Sequence, residues 1–337
     1  MPNIRIVHTT QYRYASPVRF ITHRLMLRPR DSHDLVLADA MLGITPPAAM
    51  ARWAHDVFGN SIGYLDFGDM MADTLRIVST LKLQHFPPGA GLPETTIDPG
   101  AESYPFVYAA AEMPDLESSL QRYHADPDQV IDAWARAFLP KEGSIRTLDL
   151  LGNITRAIQN DFVYASRNEE GTHSPIATLE SRKGACRDFA LLMMEAVRAL
   201  GFAARFVSGY LYDADLEQHP QTGEQMVGGG ATHAWCSVYL PGAGWVEFDP
   251  TNGLIAGRNL IRVCSARTPE QAVPISGSFI GRPTDFLGLD VDVDVDVDVD
   301  VEVTVESRAA YEKAPNEMAH DDVVAKSEEM VMEDRIA

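Results

Sequence analysis

Hydrophobic and polar residues alternate along the first third of the chain. Residues 4–8, 18–27 and 74–83 carry apolar side chains at about every second position, a spacing that predicts β-strands. Turn-forming Pro, Gly and Asn residues separate these segments. An irregular connection rich in proline and glycine follows over residues 85–100. We therefore expect a β-rich N-terminal region.

The period of the pattern changes after about residue 114. Residues 116–138 predict a broken helix, and residues 147–162 carry a helical stripe of leucine and isoleucine. A third helix is predicted over residues 188–200, where Gly201 follows in the place of a C-terminal cap.

Strand patterns return in the second half. Residues 203–212 predict a strand, and residues 233–240 and 245–249 predict a hairpin around a Pro-Gly-Ala-Gly turn. Between them, residues 213–230 form a polar segment that ends in three glycines, and we expect it to be a mobile loop. The segment from 184 to 253 therefore contains its own helix and strands.

Aspartate and valine alternate almost strictly over residues 290–302. This pattern predicts a strand with a buried valine face and an aspartate face in water. Calcium binding is the less favoured interpretation, because calcium needs oxygen ligands that converge from several directions. We expect the strand to pair with the N-terminal region. Residues 307–337 are acidic and predict a frayed helix or a disordered tail.

Composition narrows the class of protein. The chain has 337 residues, of which 45% are hydrophobic and 23% charged, as in soluble globular proteins. Its net charge of −20 makes nucleic acids and anionic membranes poor partners. No apolar run is long enough to span a membrane, and the first residues lack a signal-peptide pattern, so we expect a cytoplasmic protein. Three widely spaced cysteines do not form a disulfide framework.

Cys186 is the first candidate for chemistry. It lies immediately before the predicted helix that begins near Asp188. Free backbone N–H groups and the positive end of the helix dipole favour the thiolate, and the same N–H groups can bind an oxyanion. A lone cysteine is more often a buried structural residue, however, so this position alone does not establish a nucleophile. We expect Asp188 to cap the helix.

The predicted hairpin supplies the other two candidates. If a three-residue loop pairs Leu240 with Gly244, His233 and Asp249 are diagonal neighbours on one face. A four-residue loop would place them on opposite faces, so the register decides whether they meet. His233 and Cys236 have opposite parity on their strand, which disfavours a zinc site. We expect no metal and no cofactor.

Taken together, these motifs resemble the transglutaminase-like superfamily, and in particular its bacterial cysteine protease-like branch. The runs that carry the resemblance are Gly184-Ala185-Cys186-Arg187-Asp188-Phe189, Gly209-Tyr210-Leu211, His233-Ala234-Trp235 and Gly244-Trp245-Val246-Glu247-Phe248-Asp249-Pro250-Thr251-Asn252. The segments 12–14, 27–30 and 56–60 are similar to the β-rich N-terminal region of that branch, and the resemblance covers about the first 305 residues.

The resemblance implies an α+β fold. Its papain/transglutaminase-like core would pack the helix that bears the cysteine on an antiparallel sheet, beside a β-rich, sandwich-like N-terminal domain. The expected divisions are a β-rich domain at 1–113, a catalytic domain at 114–255, strands that return to the N-terminal domain at 256–306, and the tail at 307–337.

The resemblance also implies roles for particular residues. Cys186, His233 and Asp249 would form the catalytic triad, and Tyr164 is a candidate for the second oxyanion donor. The chain departs from the family pattern at Leu191, where a histidine is frequent. It also departs at Ser237, where a glutamate is frequent, and at 264–268, where Gly-Arg-Asp is usual.

The activity implied is acyl transfer from an amide through a thioester on the cysteine, with a peptide or protein as substrate. Hydrolysis of a peptide or isopeptide bond is slightly favoured over transamidation of protein glutamine, because the polar loop at 213–230 does not evidently exclude water. Arylamine N-acetyltransferase chemistry uses the same order of triad residues and is one alternative. A non-catalytic peptide-binding module that keeps the fold is another. The sequence leaves the oligomeric state open.

Overall fold

A computed structural model describes residues 3–86, 96–167, 170–212, 226–227, 230–255 and 259–298. The predicted polar loop at 213–230 lies largely outside the described residues, as does most of the connection at 85–100. The tail at 307–337 lies wholly outside them.

The described part of the N-terminal region contains six strands of six to eighteen residues. They are β1 (Asn3–Phe20), β2 (His23–Arg28), β3 (Leu35–Thr45), β4 (Met50–His55), β5 (Ser61–Asp66) and β6 (Met71–His85). The prediction of one strand over 18–27 is wrong, because the chain leaves β1 after Phe20 and enters a different sheet at His23. The alternating pattern continues across the break and does not reveal it.

Short strands and helices follow. They are β7 (Ser103–Tyr104), α1 (Met113–Leu120), α2 (Val130–Arg136), β8 (Ile145–Arg146), α3 (Thr147–Asp161), β9 (Val163–Tyr164), α4 (Pro175–Ser181), β10 (Lys183–Gly184) and α5 (Cys186–Ala199). The broken helix predicted over 116–138 is α1 and α2. The α4 helix, which was not predicted, begins after Ser174, whose Oγ accepts a hydrogen bond from the Ala177 N–H.

The remaining strands complete three sheets. They are β11 (Ala204–Leu211), β12 (His233–Leu240), β13 (Gly244–Asp249), β14 (Leu254–Ile255), β15 (Leu260–Ala266), β16 (Ile275–Ser276), β17 (Phe279–Ile280) and β18 (Phe286–Asp298). The central antiparallel sheet has the order β14-β13-β12-β11-β15. A second sheet has the order β17-β1-β6-β3, with β18 also paired to β1, and a third has the order β16-β2-β5-β4.

Helix α5 packs on the central sheet. Its apolar residues recur every three or four positions, and Phe189 and Met193 are buried in the same core cluster as Cys236 and Phe248 of the sheet. The fold is therefore α+β, with a papain/transglutaminase-like core and a β-rich N-terminal region.

The N-terminal strands pack directly against the central sheet. Their contact contains apolar residues of β1, β6, β11, β15 and β18. Two histidines cross it: His8 hydrogen-bonds the Tyr210 hydroxyl and His85 hydrogen-bonds the Tyr212 hydroxyl, each at 3.0 Å. Burial lowers the pKa of both histidines to about 4.

A side-chain amide adds a further link between these regions. The Asn60 side chain donates to the Ser265 carbonyl at 2.8 Å and accepts from the Ser265 N–H at 3.0 Å. Asn60 thereby pairs with the backbone of β15 much as a neighbouring strand would. The residue boundaries proposed for the domains stay a prediction.

Residues 290–298 of the Asp-Val segment lie in β18, which pairs antiparallel with β1 from Asn3↔Asp298 to Tyr14↔Phe286. Its described aspartates are exposed, as the alternation predicts. The valine face is buried only in part: Val293 is 5% exposed, whereas Val291 is 39% exposed. A fully buried valine face was the wrong expectation, because the opposing hydrophobic cluster includes Val293 and Val295 but not Val291.

Candidate active site

Cys186 is the first residue of α5, two residues earlier than the helix start that the periodicity predicts. The preceding residue, Ala185, has extended backbone angles and occupies the N-cap position. In the first turn of a helix the N–H groups have no intrahelical partner. Cys186 is partly exposed, whereas Cys236 and Cys264 are buried. The one accessible thiol of the chain thus lies at a helix N-terminus.

Asp188 holds this helix terminus in place. Its fully buried carboxylate accepts hydrogen bonds from the Ala185 N–H at 2.9 Å, the His173 N–H at 2.7 Å and the Arg167 guanidinium at 2.8 and 3.1 Å. Burial raises the pKa of Asp188, but these hydrogen bonds outweigh it and lower the pKa below its usual value. Asp188 therefore caps the helix, as predicted, and binds Arg167 and His173 to it.

Gly184 makes room for this cap. A Cβ atom there would lie 2.8 Å from the Asp188 Cβ, closer than side chains pack. The absence of a side chain at 184 lets Asp188 approach the backbone just ahead of Cys186.

The hairpin register brings His233 and Asp249 together. Leu240 pairs with Gly244 and Cys236 pairs with Phe248, which is the three-residue-loop register. His233 Nε2 lies 2.8 Å from Asp249 Oδ2. Both side chains are buried, with exposures of 1% and 0%. The structure therefore selects the register in which the two residues share a face.

Electrostatics favour the charged form of this pair. Burial lowers the pKa of His233, but the Asp249 charge, the hydrogen bond to Asp249 and the interaction with Cys186 together raise it to about 10. Burial raises the pKa of Asp249, and the His233 charge together with hydrogen bonds from Asn252 and the Thr251 N–H lowers it below its usual value. The pair is therefore an imidazolium and a carboxylate near neutral pH.

Cys186 is the group on the other side of the imidazole. The interaction with Cys186 raises the pKa of His233 and so favours the protonated ring. The Nδ1 atom is buried and makes no hydrogen bond of ordinary geometry with the described residues. Since Nε2 is occupied by Asp249, Nδ1 is the nitrogen that remains for the thiol. The structure brings all three predicted residues together.

Tyr164 also lies at this site. The short parallel pairing of β9 with β10 sets it opposite Gly184, two residues before Cys186. Burial, followed by the charge of Cys186, raises the pKa of Tyr164 to about 12. Its hydroxyl therefore stays protonated near neutral pH. Tyr164 also contacts the Phe189 ring, with 6.4 Å between centroids, so it contributes to the core as well.

Asn252 belongs to the sequence motif that ends the hairpin, but the motif predicts no role for it. Its Nδ2 donates to Asp249 Oδ2 at 2.8 Å and to the Val227 carbonyl at 3.1 Å, while its Oδ1 accepts from the Val227 N–H at 2.8 Å. Asn252 therefore orients the carboxylate and binds a residue of the segment ahead of His233. The signal in the sequence was its place three residues after Asp249.

Comparison with known proteins assigns the family. The model described as "Transglutaminase-like superfamily" matches residues 135–250, and "Bacterial transglutaminase-like N-terminal region" matches residues 4–84. An uncharacterised protein of Mycobacterium tuberculosis is 30% identical over 281 residues, or 81% of this chain and 86% of the relative. The chain belongs to the transglutaminase-like superfamily.

Two further similar proteins differ in how much of the chain they match. A protein-glutamine gamma-glutamyltransferase of Pseudomonas aeruginosa is 27% identical over 135 residues, or 35% of this chain and 20% of the relative. A solved structure from Cytophaga hutchinsonii, described as a "putative cysteine protease", has a TM-score of 0.60 and 19% identity, and covers 90% of this chain and 93% of that one. The latter likeness is one of fold.

None of the helices in the described residues combines the length and the apolar content that crossing a membrane requires.

Proposed function

We propose that this member of the transglutaminase-like superfamily is a cysteine-nucleophile enzyme that acts on amide bonds, with Cys186, His233 and Asp249 as its catalytic residues. One observation carries the proposal. A buried His233–Asp249 ion pair stands beside the partly exposed thiol at the start of α5. Burying this pair costs free energy, because two charges must leave water, so a gain in stability alone explains it poorly.

The acylation step uses each residue once. The Cys186 thiolate attacks the carbonyl carbon of the substrate amide, and the carbonyl electrons move to oxygen. The Cys186 backbone N–H, with the Tyr164 hydroxyl as a second candidate donor, faces that oxyanion. When the C–N bond breaks, the His233 imidazolium gives its proton to the leaving nitrogen, and a thioester remains on Cys186. Asp249 keeps the imidazole in the required orientation.

Deacylation reverses the proton transfer. Neutral His233 takes a proton from water or from an amine, which attacks the thioester and releases the thiolate. Water gives hydrolysis of a peptide or isopeptide bond, and an amine gives transamidation. We favour hydrolysis, because solvent reaches Cys186. The relative named as a protein-glutamine gamma-glutamyltransferase supports transamidation as the second candidate, and a peptide or protein is the substrate in either case.

A screen with acylating probes tests the proposal. Peptide-amide and thioester electrophiles are offered to the full chain, and acyl adducts are located by mass spectrometry. We expect an adduct on Cys186, none in Cys186→Ala, and an unchanged adduct in Cys264→Ala, a matched change at a buried thiol. Reaction with acetyl thioesters alone would favour arylamine N-acetyltransferase-like chemistry. The absence of an adduct with every probe would favour a non-catalytic peptide-binding module.

A further inference from the structure

The indole of Trp235 lies against the imidazole of His233. The two residues are two positions apart on β12 and share a face. Their rings are stacked, with 6.0 Å between centroids and 29° between planes, and Trp235 is fully buried. An aromatic face attracts a cation held over it in a water-free site. The Trp235 indole can therefore stabilise the His233 imidazolium, the protonated form that donates the proton in the proposed mechanism.

The backbone of the neighbouring strand provides the space for this indole. Gly209 on β11 pairs with His233. A Cβ at Gly209 would lie 2.8 Å from the indole Cη2 and 2.1 Å from the Ile261 carbonyl oxygen. Apolar residues of β11 and β15 close the remaining sides of the indole. A side chain at position 209 would therefore displace the indole.

The polar edge of the indole faces Glu247. On the hairpin, Glu247 pairs with Ser237 and is the diagonal neighbour of Trp235 on the same face. Burial raises the pKa of Glu247, against opposing contributions from Arg262 and from the indole N–H. The N–H makes no hydrogen bond of ordinary geometry with the described residues, and Glu247 is the carboxylate whose pKa it lowers.

Glu247 is held in turn from the N-terminal strands. Arg262 on β15 contacts Glu247 Oε1 at 2.9 Å through Nη1 and Asp34 Oδ2 at 3.5 Å through Nη2. Asp34 immediately precedes β3 and also bonds Ser32. A buried carboxylate keeps its charge only when it is paired, so Arg262 is needed for Glu247 to remain an anionic acceptor for the indole.

We propose that Trp235 is a positioning residue for the His233 imidazolium. In this proposal Glu247 and Arg262 of the central sheet hold its indole in place, and Asp34 of the N-terminal region holds Arg262. The proposal rests on the assignment of His233 as the residue that transfers protons. It gives the β-rich region a part in the chemistry through the contact of Asp34 with Arg262. The charged groups that face His233 itself are Asp249 on β13 and Cys186 on α5.

The direct test is an NMR titration of the His233 ring in the full-length chain. Trp235→Phe removes the larger indole face and its N–H but keeps an aromatic ring. We expect the midpoint for deprotonation of His233 to fall by about 0.5–1 pH unit. Glu270→Gln, at an exposed carboxylate in the turn after β15, is the matched control and should leave the midpoint unchanged. An unshifted midpoint in a folded Trp235→Phe chain would overturn the proposal.

A double-mutant cycle tests the route through the indole. Glu247→Gln should lower the midpoint in the same direction, but it should add nothing in the Trp235→Phe background, because its effect passes through the indole. Additive shifts would show that Glu247 acts on His233 by its charge alone and would refute this part. If Trp235→Phe fails to fold, Glu247→Gln and Asp34→Asn replace it as the test. Both variants should lower the midpoint relative to Glu270→Gln. The absence of a shift in either variant would overturn the proposal.

The titration also separates this proposal from the proposed function. The His233 midpoint is measured without substrate, so a chain that forms no acyl adduct still reports whether Trp235 positions the ring. If turnover is found, kcat should fall in Glu247→Gln while KM stays close to that of the original chain, because no substrate contact is removed.

Discussion

Replacing Asp249 with asparagine isolates the contribution of its charge. The side chain keeps its size and most of its hydrogen-bonding capacity toward Asn252 and the Thr251 N–H, but the ion pair with His233 is lost. Burial, which lowers the pKa of His233, is then no longer opposed by the carboxylate. We expect the His233 ring to be neutral at pH 7 in the variant.

The size of the effect follows from the burial of both partners. Breaking a buried pair at one partner costs about 3–5 kcal/mol of folding free energy, since the remaining group loses its compensation. Here the imidazole can release its proton, which relieves part of that cost and favours the lower end of the range. If the chain turns over a substrate, kcat should fall by a factor on the order of 10⁴, because the imidazole loses its orienting carboxylate.

The pH dependence has a definite sign. The pKa of His233 is raised from 6.5 to about 10, so its contribution to stability is complete below pH 6.5 and is lost as the pH rises through about 10. The pKa of Asp249 is lowered from 3.8, so its contribution is present above pH 3.8 and is lost as the pH falls through the folded value. The original chain should therefore exceed Asp249→Asn in stability most strongly between about pH 4 and 6.5.

Urea unfolding monitored by circular dichroism at pH 5, 7 and 10.5 measures this difference. Asp161→Asn, at an exposed carboxylate at the end of α3, serves as the control and should change stability by less than about 0.5 kcal/mol. A difference between the original chain and Asp249→Asn that did not depend on pH would refute the reasoning. It would mean that the asparagine acts through packing and not through the loss of a charge.

Three further predictions concern other parts of the chain. Cys186 should be carbamidomethylated before Cys236 at neutral pH, since only the former is accessible; peptide mapping that finds Cys236 modified first would contradict this. Gly184→Ala should cost about 1–3 kcal/mol and slow alkylation of Cys186, because the new Cβ displaces the Asp188 cap; unfolding and labelling rates measure both. Truncation after Asn252 removes β14 to β18, including the strands β15 and β18 that cover the apolar face of β1, and should lower solubility. An equally soluble and stable product would show that the later strands are dispensable.

Much of the local structure could be predicted from the sequence, because it depends on neighbours along the chain. The apolar spacing indicated α5 to within two residues, since one helix face must be buried wherever the helix packs. The alternation in residues 290–298 indicated a strand for the same kind of reason. The predicted helix start and hairpin singled out Cys186, His233 and Asp249 as candidates, and the resemblance implied their roles as a triad; these catalytic roles stay a prediction.

Only the tertiary structure decided how these elements meet. Parity allowed His233 and Asp249 to share a face or to oppose each other, and the pairing of Leu240 with Gly244 selected between the two. The strand break after Phe20 left no mark in a pattern that continues across it. The contact from Trp235 through Glu247 to the N-terminal strands joins residues some two hundred positions apart. No local period encodes it, because buried charges find their partners through packing and not through sequence distance.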